Sequence, residues 1–282
     1  MTLLEQQIRG LTEDLTAVVS KLSGKVTPKS VHRLRTTIRR IDSLVSYANP
    51  GLGRKLERSL EKLEDLRKRA GKVRNIDVQR RLLKQVANGS TAKDRKILFA
   101  LLDKKRERQA SRLSSALVKL AGTKFSSRME RIAERVGIGP SSESRPLAPL
   151  EEARLQLAGM AEDFPFQQSL KPNRLHAARI QLKKIRYLAE LADESPERIE
   201  FLDELKVVQD AVGEWHDWEE LSKLAEKRFA DRVNCALLLE VRALFAARES
   251  AATSAVSRLF AATTARKPPR SAQYSRSLAR SA

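Results

Sequence analysis

One eleven-residue pattern occurs twice in this chain, and it decides how the surrounding sequence is interpreted. The two copies read VHRLRTTIRRI at residues 31–41 and LHAARIQLKKI at residues 175–185. Both copies place an apolar residue, a His, an Arg, a second apolar residue, two cations and an Ile at the same spacing. Because the apolar positions recur every three or four residues, each copy predicts an amphipathic α-helix.

A second pair of matching segments follows the two copies in the same order. Residues 63–75 align with residues 205–217, which pairs Gly71 with Gly213 and Arg74 with His216. The two alignments have nearly equal offsets of 144 and 142 residues. Matching blocks in one order at one offset indicate an internal repeat, and the chain therefore predicts two related helical halves.

The sequence around these blocks has the same helical character. Alternating β-branched residues are absent, and glycine is scarce outside the predicted loops. Apolar stripes at helical spacing occur at residues 3–22, 31–45, 56–66 and 97–120, and the second half predicts helices at residues 150–163, 172–193, 197–229 and 231–262. We therefore predict an all-α fold, with about four helices in each half and two pseudo-symmetric four-helix bundles.

Two segments are predicted to lie outside the helices. Gly, Pro and Ser residues mark a linker at residues 137–149, between a first helical half at residues 1–136 and a second at residues 150–265. We interpret residues 1–265 as a single domain. Residues 266–282 contain basic side chains, no acid and no apolar period, and they predict a disordered basic tail.

The net charge of +20 is unevenly distributed along the chain. Residues 1–145 hold 34 Lys and Arg against 15 Asp and Glu, whereas residues 146–265 are net acidic. A cationic excess of this size indicates a polyanionic partner, because the charges would otherwise repel one another.

The sequence also bears on the location of the protein. No apolar run approaches the ~18 residues of a membrane-spanning helix, and the first ten residues lack the apolar core of an export signal. The single cysteine, Cys235, cannot form an intramolecular disulfide. We therefore predict a cytoplasmic protein that has no membrane partner.

The cations of the repeated pattern lie beside the apolar stripe of each predicted helix. On a helical wheel, Arg35 and Arg39 fall within about 60° of His32, and Arg179 and Lys183 hold the same positions relative to His176. Like charges at this spacing repel by roughly 0.2–0.5 kcal/mol per pair, which a bound polyanion would relieve. Arg can bind phosphate oxygens in a bidentate manner, and His can become cationic near neutral pH.

The two pairs of blocks resemble the CHAD family, the histidine-containing α-helical domains, over roughly residues 1–262. This resemblance implies a basic groove or pore between two bundles that binds inorganic polyphosphate, with association to polyphosphate granules in some members. By position it implies binding residues in both copies of the pattern: His32, Arg35, Arg39, Arg40, His176, Arg179, Lys183 and Lys184. Further candidates extend these two sets: Arg74, Lys104, Lys105, Arg108, Arg186 and Tyr187.

No pattern in the sequence predicts catalysis, a metal site or a cofactor. Three histidines are too few for a structural zinc site, and neither a glycine-rich phosphate loop nor a nucleophile elbow occurs. Trp215 and Trp218 flank His216 and are interpreted as packing residues. Residues 74–77, which read RNID, predict a turn or helix cap rather than a catalytic acid. We therefore predict a non-enzymatic protein.

Three alternatives to polyphosphate binding stay open. The charge permits a nucleic-acid-binding helical protein, although aromatic residues interleaved with cations are scarce. The basic tail favours a scaffold that tethers partner proteins to granules. A phosphohydrolase is the least favoured alternative, because the two His-containing segments hold no clustered acids for a metal ion.

Overall fold

A computed structural model describes residues 2–48, 51–87, 89–121, 124–138, 147–163, 172–232 and 234–266 of the chain. Within these ranges the regular structure consists of nine α-helices, without a strand. The helices are α1 (Leu3–Gly24), α2 (Pro28–Ala48), α3 (Arg54–Leu83), α4 (Ala92–Ala121), α5 (Phe125–Ile138), α6 (Pro149–Glu162), α7 (Pro172–Ala189), α8 (Pro196–Arg228) and α9 (Ala236–Ala265). The prediction of an all-α fold is confirmed.

The helix boundaries reflect local signals at the helix ends. Thr2 caps α1, because its hydroxyl accepts a hydrogen bond from the amide of Glu5 at 3.2 Å. Four of the helices (α2, α6, α7 and α8) begin at a proline, a residue whose missing N–H is harmless in the first turn. Helix α9 begins five residues later than predicted. Asn234 has a left-handed φ of 58° just before it, which the helical pattern did not show.

Helix α5 was not predicted from the sequence. It buries Phe125, Met129, Ile132 and Val136, which lie at helical spacing along one face. The helix reaches Ile138 and so includes the first two residues of the predicted linker. Of that linker, residues 139–146 lie outside the described residues, as do residues 267–282 of the predicted tail.

The prediction of a turn or cap at residues 74–77 was wrong. These residues lie in the middle of α3, whose backbone is helical from Arg54 to Leu83. Val73, Ile76 and Val78 are buried and hold this segment against the core. The side chain of Asp77, only 5% exposed, forms an ion pair with Arg106 of α4 at 2.6 Å.

The described helices divide into two compact units. The first unit comprises Met1–Leu147 and His216–Ala246, and the second comprises Ala148–Trp215 and Ala247–Ala282. Helices α8 and α9, with 33 and 30 residues, each contribute residues to both units. The predicted domain boundaries, the pseudo-symmetry and the basic groove or pore stay predictions.

A core of the first unit joins α3 and α4 to the end of α8 and the start of α9. It contains Leu83, Leu98, Trp218, Leu221 and Leu237, all of them buried. Both tryptophans of the chain are buried, as expected of packing residues. None of the described helices carries an apolar stretch that could span a bilayer.

Candidate functional site

Helix α2 turns one face into the core and places its cations along the border of that face. Val31, Leu34, Ile38 and Ile41 are at most 2% exposed. His32 and Arg40 are exposed, and Arg35 and Arg39 are half-buried. The cations therefore lie beside the apolar stripe, as the helical wheel predicted, where their stems can pack while their charged groups reach solvent.

Helix α3 brings a glycine and an arginine to this border. A Cβ atom built on Gly71 would lie 3.9 Å from Nε of Arg35, so the guanidinium of Arg35 approaches the α3 backbone at this glycine. Arg74 follows Gly71 by three residues, which is about one helical turn. Arg74 therefore lies about one turn along α3 from the point that Arg35 approaches.

The charge of three arginines acts on the ring of His32. The pKa of His32 is lowered from its ordinary value of 6.5, first by the partial burial of this side chain and then by the positive charges of Arg74, Arg35 and Arg39. The three arginines that act on His32 come from two helices, Arg35 and Arg39 from α2 and Arg74 from α3. We call His32, Arg35, Arg39 and Arg74 the His32 cluster. As the pH falls, the imidazole of His32 therefore stays neutral to a lower pH than a free imidazole does.

Two other arginines of the first unit, Arg33 and Arg106, form ion pairs with acidic side chains. Arg33, the next residue after His32, forms an ion pair with Asp14 of α1. Arg106 pairs with Asp77 and also donates to the carbonyl of Val26 at 3.1 Å. By contrast, Arg39 and Arg74 lie within ion-pair distance of no carboxylate in the described ranges.

The predicted cations of α4 flank the ion pair between Arg106 and Asp77. Lys104 and Arg108 are exposed, and Lys105 is half-buried. A second ion pair, between Arg80 and Asp103 at 2.7 Å, holds α4 against α3 one turn away. Across the described part of the chain, none of these three α4 cations has a carboxylate within ion-pair distance.

Helix α7 of the second unit repeats the arrangement of α2. Leu175, Ala178, Leu182 and Ile185 are buried. His176 and Lys184 are exposed, while Arg179 and Lys183 are half-buried. The second copy of the pattern therefore also places its cations along the border of an apolar face.

Arg186 differs from the other predicted residues of α7, because its guanidinium is held by neighbouring side chains. It donates from Nε to Oε1 of Glu190 at 3.0 Å and from Nη1 to Oε1 of Gln209 at 3.2 Å. Gln209 in turn donates to the carbonyl of Leu182 at 2.7 Å. Tyr187, the next residue, is half-buried. Arg186 thus has a structural role within the second unit in addition to its predicted one.

The internal repeat does not place equivalent side chains at every position. His216 aligns with Arg74 in sequence, but its side chain is buried in the first unit. Its Nδ1 lies 3.8 Å from Oδ1 of Asp217, beyond hydrogen-bond distance, so these neighbours do not form a His–Asp hydrogen bond. The second copy therefore lacks a counterpart of Arg74.

Sequence reasoning missed the pairing of Asp77 with Arg106. One signal was available, since Asp77 is the single acid between Asp65 and Asp94 in a strongly basic stretch. A lone acid among cations is a candidate for a buried ion pair, although its partner depends on how α3 and α4 pack. Among the described residues, no group of three or more His, Cys, Asp or Glu side chains is placed to bind a metal ion.

Comparison with known proteins gives the same fold. The family model of the CHAD domain matches residues 3–226. The crystal structure of the CHAD domain from the plant Ricinus communis superposes with a TM-score of 0.69 at 16% identity, over 92% of this chain and 91% of that one. PptA from Streptomyces chartreusis gives a TM-score of 0.64 at 17% identity, over 93% and 97%. No curated protein matches the sequence.

Proposed function

Because the chain belongs to the CHAD domain family, we propose that it binds inorganic polyphosphate and catalyses no reaction on it. In the first unit the ligand contacts the His32 cluster and Arg40. In the second unit it contacts the corresponding row on α7, which consists of His176, Arg179, Lys183 and Lys184. Lys104, Lys105, Arg108, Arg186 and Tyr187 extend these two sets of contacts.

The crowding of positive charge around His32 is the observation that carries the proposal. Three arginines from two helices lie near enough to lower the pKa of one imidazole. Such an arrangement is unfavourable in the absence of a ligand, because like charges repel. A linear polyphosphate supplies about one negative charge per phosphate unit, and arginine guanidinium groups match its oxygens in a bidentate manner.

His32 adds a proton-linked contact to this set. In the free protein partial burial, followed by the charges of the three arginines, lowers the pKa of His32 and disfavours its charged form. A phosphate group beside the ring reverses the local potential and favours the imidazolium, which then donates from both ring nitrogens. Binding is therefore expected to take up a proton at His32.

The composition of the site supports binding rather than hydrolysis. Metal-assisted cleavage of a phosphoanhydride requires carboxylates that hold the metal beside the phosphates. The His32 cluster consists of three arginines and one imidazole, and Asp77, which follows Arg74 on α3, is in an ion pair with Arg106. Release of inorganic phosphate in the presence of Mg²⁺ or Mn²⁺ would contradict the non-catalytic part of the proposal.

A titration with long-chain polyphosphate at about 50 mM and 200 mM salt tests the binding site. Charge-assisted hydrogen bonds contribute roughly 1.5–3 kcal/mol each, so Arg35→Ala with Arg179→Ala should weaken binding about 100-fold or more. The control is Arg33→Ala with Arg258→Ala, which removes the same charge from α2 and from the exposed surface of α9. Absence of binding at low salt, or equal weakening by both double variants, would contradict the proposal.

The same pair of variants addresses the cellular location. Granules of polyphosphate in the cytoplasm present the proposed ligand at high density, so we propose that the protein associates with them. A fluorescent fusion should lose its granule signal with Arg35→Ala and Arg179→Ala and keep it with the control pair.

Single-stranded DNA and RNA serve as competitors in the titration, and efficient displacement of polyphosphate would favour a nucleic-acid ligand instead.

A further inference from the structure

The second unit contains an open groove whose chemistry differs from that of the proposed polyphosphate site. Residues of α6 and α8 and the end of α9 line it, and its volume is about 640 Å³. This lies within the ~300–1,000 Å³ that is typical of ligand pockets. We call it the α6–α8 groove, and six of its lining residues carry the argument: Glu151, Leu155, Glu200, Phe201, Glu204 and Arg266.

The floor of the α6–α8 groove is apolar. Phe201 lies beneath it with 6% of its surface exposed, and Leu157 beside it is 4% exposed. Leu155 on the wall leaves 54% of its surface in water, which costs hydration free energy unless another apolar group covers it. The guanidinium of Arg154 lies 5.9 Å from the centre of the Phe201 ring and borders this floor.

The rim of the groove carries three carboxylates and two guanidinium groups, those of Arg154 and Arg266. Glu200 and Glu204 lie one turn apart on α8, and Glu151 lies on α6. Glu204 accepts two hydrogen bonds from Arg266, at 3.0 and 2.8 Å. These contacts, together with the nearby charge of Glu200, raise the pKa of Arg266. In the part of the chain that the structure describes, no cation lies within ion-pair distance of Glu151 or Glu200.

We propose that the α6–α8 groove is a docking site for a segment of a partner protein that carries both apolar and cationic side chains. Glu151 and Glu200 on the rim attract Lys or Arg, and the apolar floor receives a side chain such as Leu. Glu151, Leu155 and Ala158 occupy positions i, i+4 and i+7 of α6, a length of about two turns. A wall of this length can receive about two turns of an amphipathic helix, which is the helix-in-groove mode of peptide recognition.

The inference goes beyond the proposed function, because it adds a protein partner to a chain that binds a polyanion. A protein with both sites would connect a partner to polyphosphate, which is the role of a scaffold. The two sites can be tested separately, since the groove is lined by α6, α8 and the end of α9, whereas the proposed polyphosphate residues lie on α2, α3, α4 and α7.

The probe is a synthetic amphipathic peptide of about 14 residues, or four helical turns, composed of Leu and Lys. Its binding to the full chain is measured without polyphosphate, and a peptide with Glu in place of Lys should not bind. Glu151→Gln with Glu200→Gln should weaken binding about fivefold, because exposed ion pairs contribute about 0.2–1 kcal/mol each. Arg266→Ala should strengthen it, since Glu204 becomes available to the peptide.

Two controls decide whether the groove is the site. Leu155→Ser should weaken peptide binding, whereas Leu239→Ser, at an equally exposed leucine of the first unit, should leave it unchanged. Failure of the Leu/Lys peptide to bind, or equal effects of the two serine variants, would overturn the inference.

Peptide binding that is unaltered in a chain ending at Arg266 would support it. A gain of more than tenfold in that chain would instead assign the groove to residues 267–282 and overturn the partner proposal.

Discussion

At the scale of single residues, the surroundings of His32 show that the candidate site is positively charged. The helical period of 3.6 residues is a local property, so the sequence could predict that Arg35 and Arg39 share a stripe with His32. The approach of Arg74 to the same ring depends on how α3 packs against α2, and the sequence does not specify that packing. Arg74 was a candidate from the repeat, but its effect on the pKa of His32 emerged only from the structure.

The lowered pKa of His32 predicts how polyphosphate binding depends on pH. Bound phosphate raises this pKa again, so affinity should increase as the pH falls from 8 to below 6.5. His32→Gln should reduce this increase, whereas His176→Gln should retain it. Titrations at several pH values measure the difference, and an identical pH profile for His32→Gln and the unaltered protein would refute the coupling.

The same shift affects the stability of the free protein with a defined sign. Because the folded state has the lower pKa, the unfolded chain binds the proton first as the pH falls below 6.5. The contribution of His32 to the free energy of unfolding is therefore complete above this pH and decreases below it. Bound polyphosphate should oppose this decrease, since it favours the protonated ring in the folded state.

At the scale of elements, the long helices with regular apolar stripes were the most predictable part. Helix α5 was missed although its buried residues are regularly spaced, because its 14 residues include a glycine and follow directly on α4. Residues 74–77 were misassigned for a different reason. Asn and Asp favour caps when they lie at a helix end, but here burial of Val73, Ile76 and Val78 continues the helix through them.

The ion pair between Asp77 and Arg106 should contribute strongly to the stability of the first unit. Arg106→Ala leaves a carboxylate that is 5% exposed without its partner, which typically costs about 3–5 kcal/mol. Arg80→Ala breaks an ion pair on the same two helices, but Asp103 is 55% exposed and the cost should be at most about 1 kcal/mol. Urea unfolding of both variants measures the two costs, and similar values would contradict the structural role assigned to Asp77.

At the scale of the whole molecule, the net charge of +20 is the sum of cationic surfaces and a groove that carries several glutamates. The first unit contains the His32 cluster and most of the cations of the chain, whereas the second unit contains both the cationic row of α7 and the glutamates of the α6–α8 groove. Composition indicated a polyanionic partner, and the repeat indicated where its contacts lie. Neither could indicate the groove, which requires α6, α8 and α9 to be brought together by packing.

The central claim is that the His32 cluster contacts phosphate directly, and the salt dependence of binding tests it most directly. The logarithm of the affinity falls with the logarithm of the salt concentration, by about 0.7 for each phosphate contact on a single-stranded nucleic acid. By analogy, Arg35→Ala, Arg39→Ala and Arg74→Ala together should reduce the slope for polyphosphate by about two. An unchanged slope in a variant that remains folded would contradict the claim.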